Sequence, residues 1–584
     1  MTRRGAAVAA IVCLALAGCG VSMPHSGPVH ETKSGGRSEE DLPASISPPG
    51  PKKGDTPEDI VRGFLYAMQA TPPIKTSVAR EFLTKEANAS WQPSGMVVYS
   101  TYTTQRGSQE ITAQLSDAEE TDARGTWLGS ASAEDSTVRF QLILEDHEWR
   151  IAAPPSHLLV PATWFGQRFR QVSLYFFDPS AQILVPEPVF VPRGGQFASA
   201  LVSGLLQDPP TGLTEQSYLP HGLRSVVSVP VSGGIARIDL NSDTGDALLP
   251  TSDQSELMVS QLAWTLGQDP AISGFRVSID ARPVQIGGET QFGTDHGHEY
   301  APYFAGSSTQ LYGLDNGKMV GGSLQNLETV TGPFGAGVYS LRAVSPDLRA
   351  ENVAGVSTTG TKLWLAPVKD TGVPPTTLIN AGEDLLRPVW DFSGRLWEID
   401  RSATGATVSY LRDDTMRTID VPGVTGQDVK AFLVSRDGSR LVAVVHRGEG
   451  NDAIVSSRIL TRGDGQVRHA LPATDISDPT DPGTIRDIAW RTPTSLVVLH
   501  PLSRELSQVR SLSVNGTADA FPVTIPDDVV GLAGTPVDGE PTYAFIRSEA
   551  ADGVPARAAL RDLAGSTVDE IELDPGVTML SYVS

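Results

Sequence analysis

Cys19 is the residue with the clearest chemistry in this sequence. It closes the run Leu16-Ala17-Gly18-Cys19, which follows Arg3, Arg4 and an uncharged apolar stretch from Ala6 to Ala17. A basic start, an apolar segment too short to span a bilayer and small residues before a cleavage point make an export signal. A cysteine directly after that point distinguishes a lipoprotein signal from an ordinary secretory one that merely contains a cysteine. Leu16, Ala17 and Gly18 would be recognised by the signal peptidase. The Cys19 thiol, a nucleophile, would be alkylated by a diacylglyceryl group before cleavage, giving N-palmitoyl, S-diacylglycerol Cys19. At roughly 0.8 kcal/mol per buried methylene, two acyl chains anchor stably where one is marginal. The expected location is therefore the outer face of a cell membrane, lipid-anchored.

Other chemistry-bearing clusters are less specific. Asp295-His296-Gly297-His298-Glu299 places two histidines among acids, donors suited to Zn²⁺ or a related ion. No third ligand follows at diagnostic spacing, and a solvated linker explains the same residues, so no metal is expected. Asp391 and Glu398, seven apart, could act as a glycosidase pair only if both lined one pocket. Trp364, Trp390, Trp397 and Trp490 could stack sugars or simply fill a core. Ser345-Pro346-Asp347 and Ser435-Arg436-Asp437-Gly438 resemble fragments of sialidase Asp-boxes. Arg349 and Ser439 stand where those boxes need glycine, which favours turns. There is no nucleophile elbow, phosphate loop or zinc-protease motif. No catalytic residue, no enzyme activity and no cofactor are expected.

Composition narrows the partners. The net charge is −23 over 584 residues, and −25 once Arg3 and Arg4 are removed. Such a surface repels nucleic acid and anionic headgroups. Cys13 lies in the removed segment, so Cys19 would be the last thiol and no internal disulfide could form. No later stretch approaches 18 uninterrupted apolar residues, so no second membrane span is expected.

The elements that must position these groups fall into blocks. Residues 1–18 form the signal, and 19–55, rich in Pro, Gly and Ser, a disordered tether. Thr56-Pro57-Glu58-Asp59 starts a helix, with Ile60, Phe64 and Ala67 on one face. Val138, Phe140, Leu142 and Leu144 alternate with polar residues, and a turn at Glu145–Glu148 leads into Trp149-Arg150-Ile151, a hairpin. These make an α+β domain over 56–165. A second α+β unit, 166–300, opens with Val172–Phe177 and a turn at Asp178-Pro179. A helix carrying Phe197, Leu201 and Leu205 follows, then a strand with Ala236, Ile238 and Leu240. A second helix is predicted from Asp253, capped with Glu256, and then a strand with Phe275, Val277 and Ile279.

From 305 to 584 the pattern is short strands between Gly, Asp and Pro turns. Similar openings recur at Leu341, Leu386, Val429, Ile485 and Val529, which are 45, 43, 56 and 44 residues apart. A period of 40–50 residues with several strands per unit predicts an all-β propeller. Val577–Val583 would complete a blade begun near Leu311, making six blades, with five or seven as alternatives. Two stacked sandwiches would explain the strands but not the spacing.

This order resembles the actinobacterial lipoprotein LpqB family over essentially the whole chain. The middle unit is similar to a GerMN (sporulation and spore germination) domain. Its matching segments are Val172–Phe177, Asp208-Pro209-Pro210-Thr211-Gly212-Leu213, Leu219-Pro220, Ala236–Leu240, Gln261–Leu266 and Val277–Asp280. The first domain resembles an NTF2-type cone, on the helix at Thr56 and the Trp149-Arg150-Ile151 strand. The resemblance implies a partner: the extracytoplasmic domain of an MtrB-like sensor histidine kinase in two-component control of division and the cell envelope. It carries no catalytic residues. The competing expectation is a propeller that binds or processes cell-envelope glycan, through a polar, acid- and Trp-lined channel. The oligomeric state is left open.

Overall fold

The computed structural model describes residues 46–583 except 71–75, 108–109, 208, 210–212, 226–227, 244, 246–248, 449, 478–482, 549–555 and 565–569. Leu16, Ala17, Gly18 and Cys19, with the chain up to residue 45, lie outside the described residues, as do Asp208 and Pro210–Gly212 of the middle-unit resemblance.

Residues 46–55, assigned above to the tether, lie against the first domain. Ile46 packs on a cluster that includes Met96, Trp127 and Phe165, and the Gly54 N–H donates to Glu148 Oε2 at 2.9 Å. Pro48, Pro49 and Pro51 have few conformations to lose, so ordering this segment costs little entropy. The helix Pro57–Ala67 starts as its sequence demands. Thr56 Oγ1 accepts from the Asp59 N–H and Asp59 Oδ2 accepts from the Thr56 N–H, both at 3.3 Å. Its apolar face meets an antiparallel sheet ordered Thr101–Arg106, Glu110–Ser116, Thr137–Glu145, Glu148–Ala153. Phe64 lies edge-on to Phe140 with centroids 6.0 Å apart. Val138, Phe140 and Leu142 point inwards, but Leu144 is 59% exposed and Ile143 47%. With both faces bare, the hairpin tip stands clear of the core, which a period-two pattern alone does not foresee.

The middle domain opens with a strand pair, and only half of it is legible in advance. Phe169–Phe177 pairs antiparallel with Leu184–Pro192 over nine residues. Pro186, Pro188 and Pro192 argue against a strand in the sequence, since proline cannot donate to a ladder. Here they share register parity with Phe190, whose N–H points away from the paired strand to Gly125 O at 2.8 Å. Every proline therefore occupies a position whose N–H would not join the ladder. Behind this hairpin, a mixed sheet carries the parallel pair Ile235–Ser242 and Gly274–Ile279. A parallel pair needs a crossover, and the helix Ser252–Leu266 is that crossover. Its cap is Thr251 with Gln254, not Asp253 with Glu256. Thr251 Oγ1 accepts from the Gln254 N–H at 3.4 Å and Gln254 Oε1 from the Thr251 N–H at 3.1 Å. Thr251 is the last extended residue, so the chain turns two residues earlier than expected.

From Leu311 onward the described residues form six antiparallel sheets in sequence order. The expected openings lie on the first strands Leu341–Pro346, Val389–Trp390, Val429–Val434, Asp487–Thr492 and Val529–Ala533. The first sheet is completed by Val577–Tyr582, paired with Leu311–Asp315. Adjacent sheets are clasped by repeated contacts. The Trp390 indole N–H donates to Ser345 O of the preceding sheet at 2.9 Å, and the Trp490 indole N–H to Val434 O at 3.2 Å. Arg342 and Arg486 reach the opposite way, to Asp384 at 2.5 Å and to Asp528.

Candidate functional site

Asp391 and Glu398 have opposite fates and form no acid pair. Asp391 Oδ2 accepts from Arg395 Nε at 2.6 Å and from the Trp397 indole N–H at 2.8 Å. Glu398 is buried, and among the described residues no side chain hydrogen-bonds its two oxygens, the Ile399 and Leu386 main chain offsetting the burial only in part. Burial, then the Asp400 charge, holds its carboxyl well above the usual carboxylate range. Asp347 Oδ1 and Oδ2 accept from the N–H groups of Glu351 and Asn352, each at 2.9 Å, and Asp437 Oδ1 from the Ser439 N–H at 2.7 Å. Both Asp-box fragments are turns.

A small cavity lies where residues of several sheets meet. Trp390, Trp490, Leu433, Ile488 and Val583, with Arg387 and Ser581, surround this cavity of about 30 Å³, room for about one water. Arg436 closes one side. Its guanidinium donates to Val583 O at 3.0 Å, Thr535 Oγ1 at 3.1 Å and Tyr303 O at 3.2 Å, and also to Ser307 Oγ. Burial pulls its pKa down to about 9. Arg436 thus ties the linker, the sixth sheet and the C-terminal strand together. Its place in an apparent turn motif gave no sign of this.

The histidine loop also acts in position rather than as a cluster. His296 Nε2 lies 2.6 Å from Glu256 Oε1 on the helix Ser252–Leu266, and no group of three potential ligands occurs among the described residues. Gly297 adopts φ +73°, and a β-carbon there would lie 2.4 Å from Ser260 Cβ. That close approach lets Gly297 O accept from the Trp264 indole N–H at 3.0 Å. His298 faces outward into a cleft.

This cleft, between the middle domain and the sixth sheet, is the most developed candidate site. It is lined by Tyr175, Trp264, Gln268, Asp295, His298 and Asp538 and encloses about 380 Å³. An adjoining hollow of about 250 Å³ shares Tyr175, Gln268 and Asp538. The walls are held from behind. Gln261 Nε2 donates to Tyr175 O at 2.9 Å, and the Tyr175 N–H donates to Thr265 Oγ1 at 3.3 Å. Gln268 Oε1 accepts from the Ser173 N–H at 2.8 Å and its Nε2 donates to Ser173 O at 2.6 Å. One helix thereby satisfies the outward edge of the Phe169–Phe177 strand and fixes the aromatic rings. Tyr175 and Trp264 have centroids 5.6 Å apart, and Trp264 and Tyr303 6.0 Å. Burial raises the Asp538 carboxyl. Asp538 lies more than 200 residues from the other walls, so no spacing in the sequence could assemble this site.

Three family models match the chain. Residues 50–166 match "Lipoprotein LpqB, N-terminal domain", residues 173–285 "Sporulation and spore germination", and residues 317–538 "Lipoprotein LpqB beta-propeller domain". Relatives named Lipoprotein LpqB include one from Thermobifida fusca, 27% identical over 88% of this chain and 91% of its own. Those from Mycolicibacterium smegmatis and Streptomyces coelicolor are 26% and 23% identical, over 84% and 88% of this chain and 86% and 89% of theirs. Among solved structures, TolB from Acinetobacter baumannii is similar at 10% identity, covering 55% of this chain and 85% of that one, with a TM-score of 0.34. A nidogen/laminin complex chain gives 12% identity, 47% and 98% coverage and a TM-score of 0.35. The ordered match of all three domain models, together with full-length relatives of one name, places this chain in the lipoprotein LpqB family.

Proposed function

We propose that this protein is an extracytoplasmic lipoprotein, held on the cell membrane through N-palmitoyl, S-diacylglycerol Cys19, that serves as a non-enzymatic scaffold for a sensor histidine kinase. The kinase would be of the MtrB type, engaged through its outer domain in control of the envelope and of division. Family membership supports the lipoprotein character. The observation that carries the scaffold role is the way one hairpin fastens all three domains. The strand Leu184–Pro192 bonds to the first domain through Phe190 and Gly125. Its partner strand meets the propeller through Gln171, which donates to Ser513 Oγ at 2.7 Å. Buried between them, Arg458 pairs with Glu187 at 2.5 Å and with Glu215. A body locked this way presents the outer surfaces of its three domains in one fixed arrangement, as a scaffold must.

Within the same proposal, the six sheets are six blades of one closed propeller and the first domain is an NTF2-like cone. Pairing of the last strand with the first sheet supports closure, since it covers both edges that an open array would expose. The alternative, a glycan-binding or glycan-processing propeller, requires an open channel wide enough for a sugar, and a cavity of only about 30 Å³ bordered by Trp390, Trp490, Leu433 and the tied Arg436 weighs against it. The test is crosslinking of the full-length protein and the kinase in one membrane, where tethering raises the effective concentration. A specific crosslink to the outer domain is expected. None with both partners tethered would overturn the scaffold role.

A further inference from the structure

We infer that the cleft between the middle domain and the sixth sheet binds an alkylammonium group, a ligand chemistry independent of the kinase proposal. Its walls offer the two features that recognise such a cation. Tyr175 and Trp264, packed together with centroids 5.6 Å apart, both line it, and the π-face of an aromatic ring attracts a cation placed over it. Two carboxylates, Asp295 and Asp538, line the same space, and no lysine or arginine does so among the described residues. Asp538 forms no ion pair among the described residues, and burial alone raises its carboxyl. A cation entering the cleft would relieve that cost.

The construction also suits binding. The Trp264 indole N–H is spent on Gly297 O, and the Tyr175 main chain on Gln261 and Thr265. The Trp264 ring is therefore oriented, and the Tyr175 backbone fixed, before any ligand arrives, which removes an ordering cost from association. A space of about 380 Å³ falls in the range of small-molecule pockets. The protein's net charge of −23 concentrates cations around it, while a carboxylate-lined cleft repels anionic ligands.

An alkylammonium can arrive as a small quaternary amine or as a lysine side chain, and the two are separable. Full-length protein in detergent micelles would be titrated calorimetrically with choline and with N-acetyl-lysine amide. The controls are their neutral counterparts, 3,3-dimethylbutanol and the Nε-acetylated amide. Saturable binding of one cation, with its neutral counterpart at least tenfold weaker, is expected, and whichever binds names the source. Asp538→Asn, an isosteric change in a loop between two strands of the sixth sheet, should weaken binding at least tenfold while leaving the melting temperature unchanged. Tyr175→Leu provides a second variant should Asp538→Asn fail to fold, and should weaken binding similarly. Equal binding of the neutral counterparts, no binding of either cation at millimolar concentrations, or unchanged affinity in a folded variant would overturn the assignment.

Discussion

Gly297 and Glu398 show how single positions depend on surroundings far away in the chain. Gly297 needs its left-handed backbone and also the space that a β-carbon would take from Ser260. Gly297→Ala is expected to cost about 1–3 kcal/mol, with a change in Trp264 fluorescence as its indole N–H loses Gly297 O. An unchanged melting temperature and spectrum would sink this account. Burial, then the Asp400 charge, raises the Glu398 carboxyl well above the usual carboxylate range. Its unfolded counterpart ionises near pH 4.3, so above that pH the folded state holds more protons and stability falls as pH rises. The slope is up to about 1.4 kcal/mol per pH unit until the raised folded pKa is passed. Glu398→Gln removes this term. Its stability relative to wild type should rise with pH above about 4 and be flat below, measured by denaturant titration; a difference constant from pH 4 to 7 would refute it.

At the scale of elements, the hairpin of Phe169–Phe177 and Leu184–Pro192 matters most, because it belongs to three domains at once. Its buried ion cluster is the sharpest place to test that. Glu187 and Glu215 keep Arg458 protonated above its ordinary range despite burial, while burial and the Arg458 charge pull Arg440 down to about 10. Removing one member leaves uncompensated buried charge. Arg458→Met should therefore cost about 3–5 kcal/mol, and calorimetry should show the middle domain melting apart from the propeller. A single cooperative transition at the wild-type temperature would count against this seam. Two elements were only half-visible in the sequence. The strand Leu184–Pro192 was hidden by prolines that register renders harmless, and the cap of Ser252–Leu266 was displaced because T-x-x-Q and D-x-x-E overlap within six residues.

For the whole molecule, position at the membrane and integrity of the fold are separate properties. Cys19→Ser is expected to release or misprocess the protein while leaving its melting curve unaltered, since no domain uses that thiol for pairing. Membrane fractionation after a high-salt wash checks this, and retention of the variant would remove the lipid anchor from the proposal. The last strand reaches Leu311–Asp315 from the far end of the chain. The first sheet is thus complete only when both ends of this region are present, which agrees with a repeat architecture whose single units cannot bury their own faces.

Local physics made much of this protein readable from its residues alone. Signal patterning pointed to Cys19, period-two alternation to strands such as Val138–Leu142, helical spacing to Phe197–Leu205, and the 40–50-residue recurrence to the strands that open successive sheets. Each depends on neighbours within a turn, a strand or a repeat. Tertiary structure decided whatever depends on groups distant in sequence. It buried Glu398 with little to offset the cost and tied Arg436 to the linker, the sixth sheet and Val583. It spent the histidine loop on positioning Trp264, and it brought Asp538 to Tyr175. The reason is physical: burial, charge compensation and ring orientation are properties of an environment, and here that environment is built from three domains.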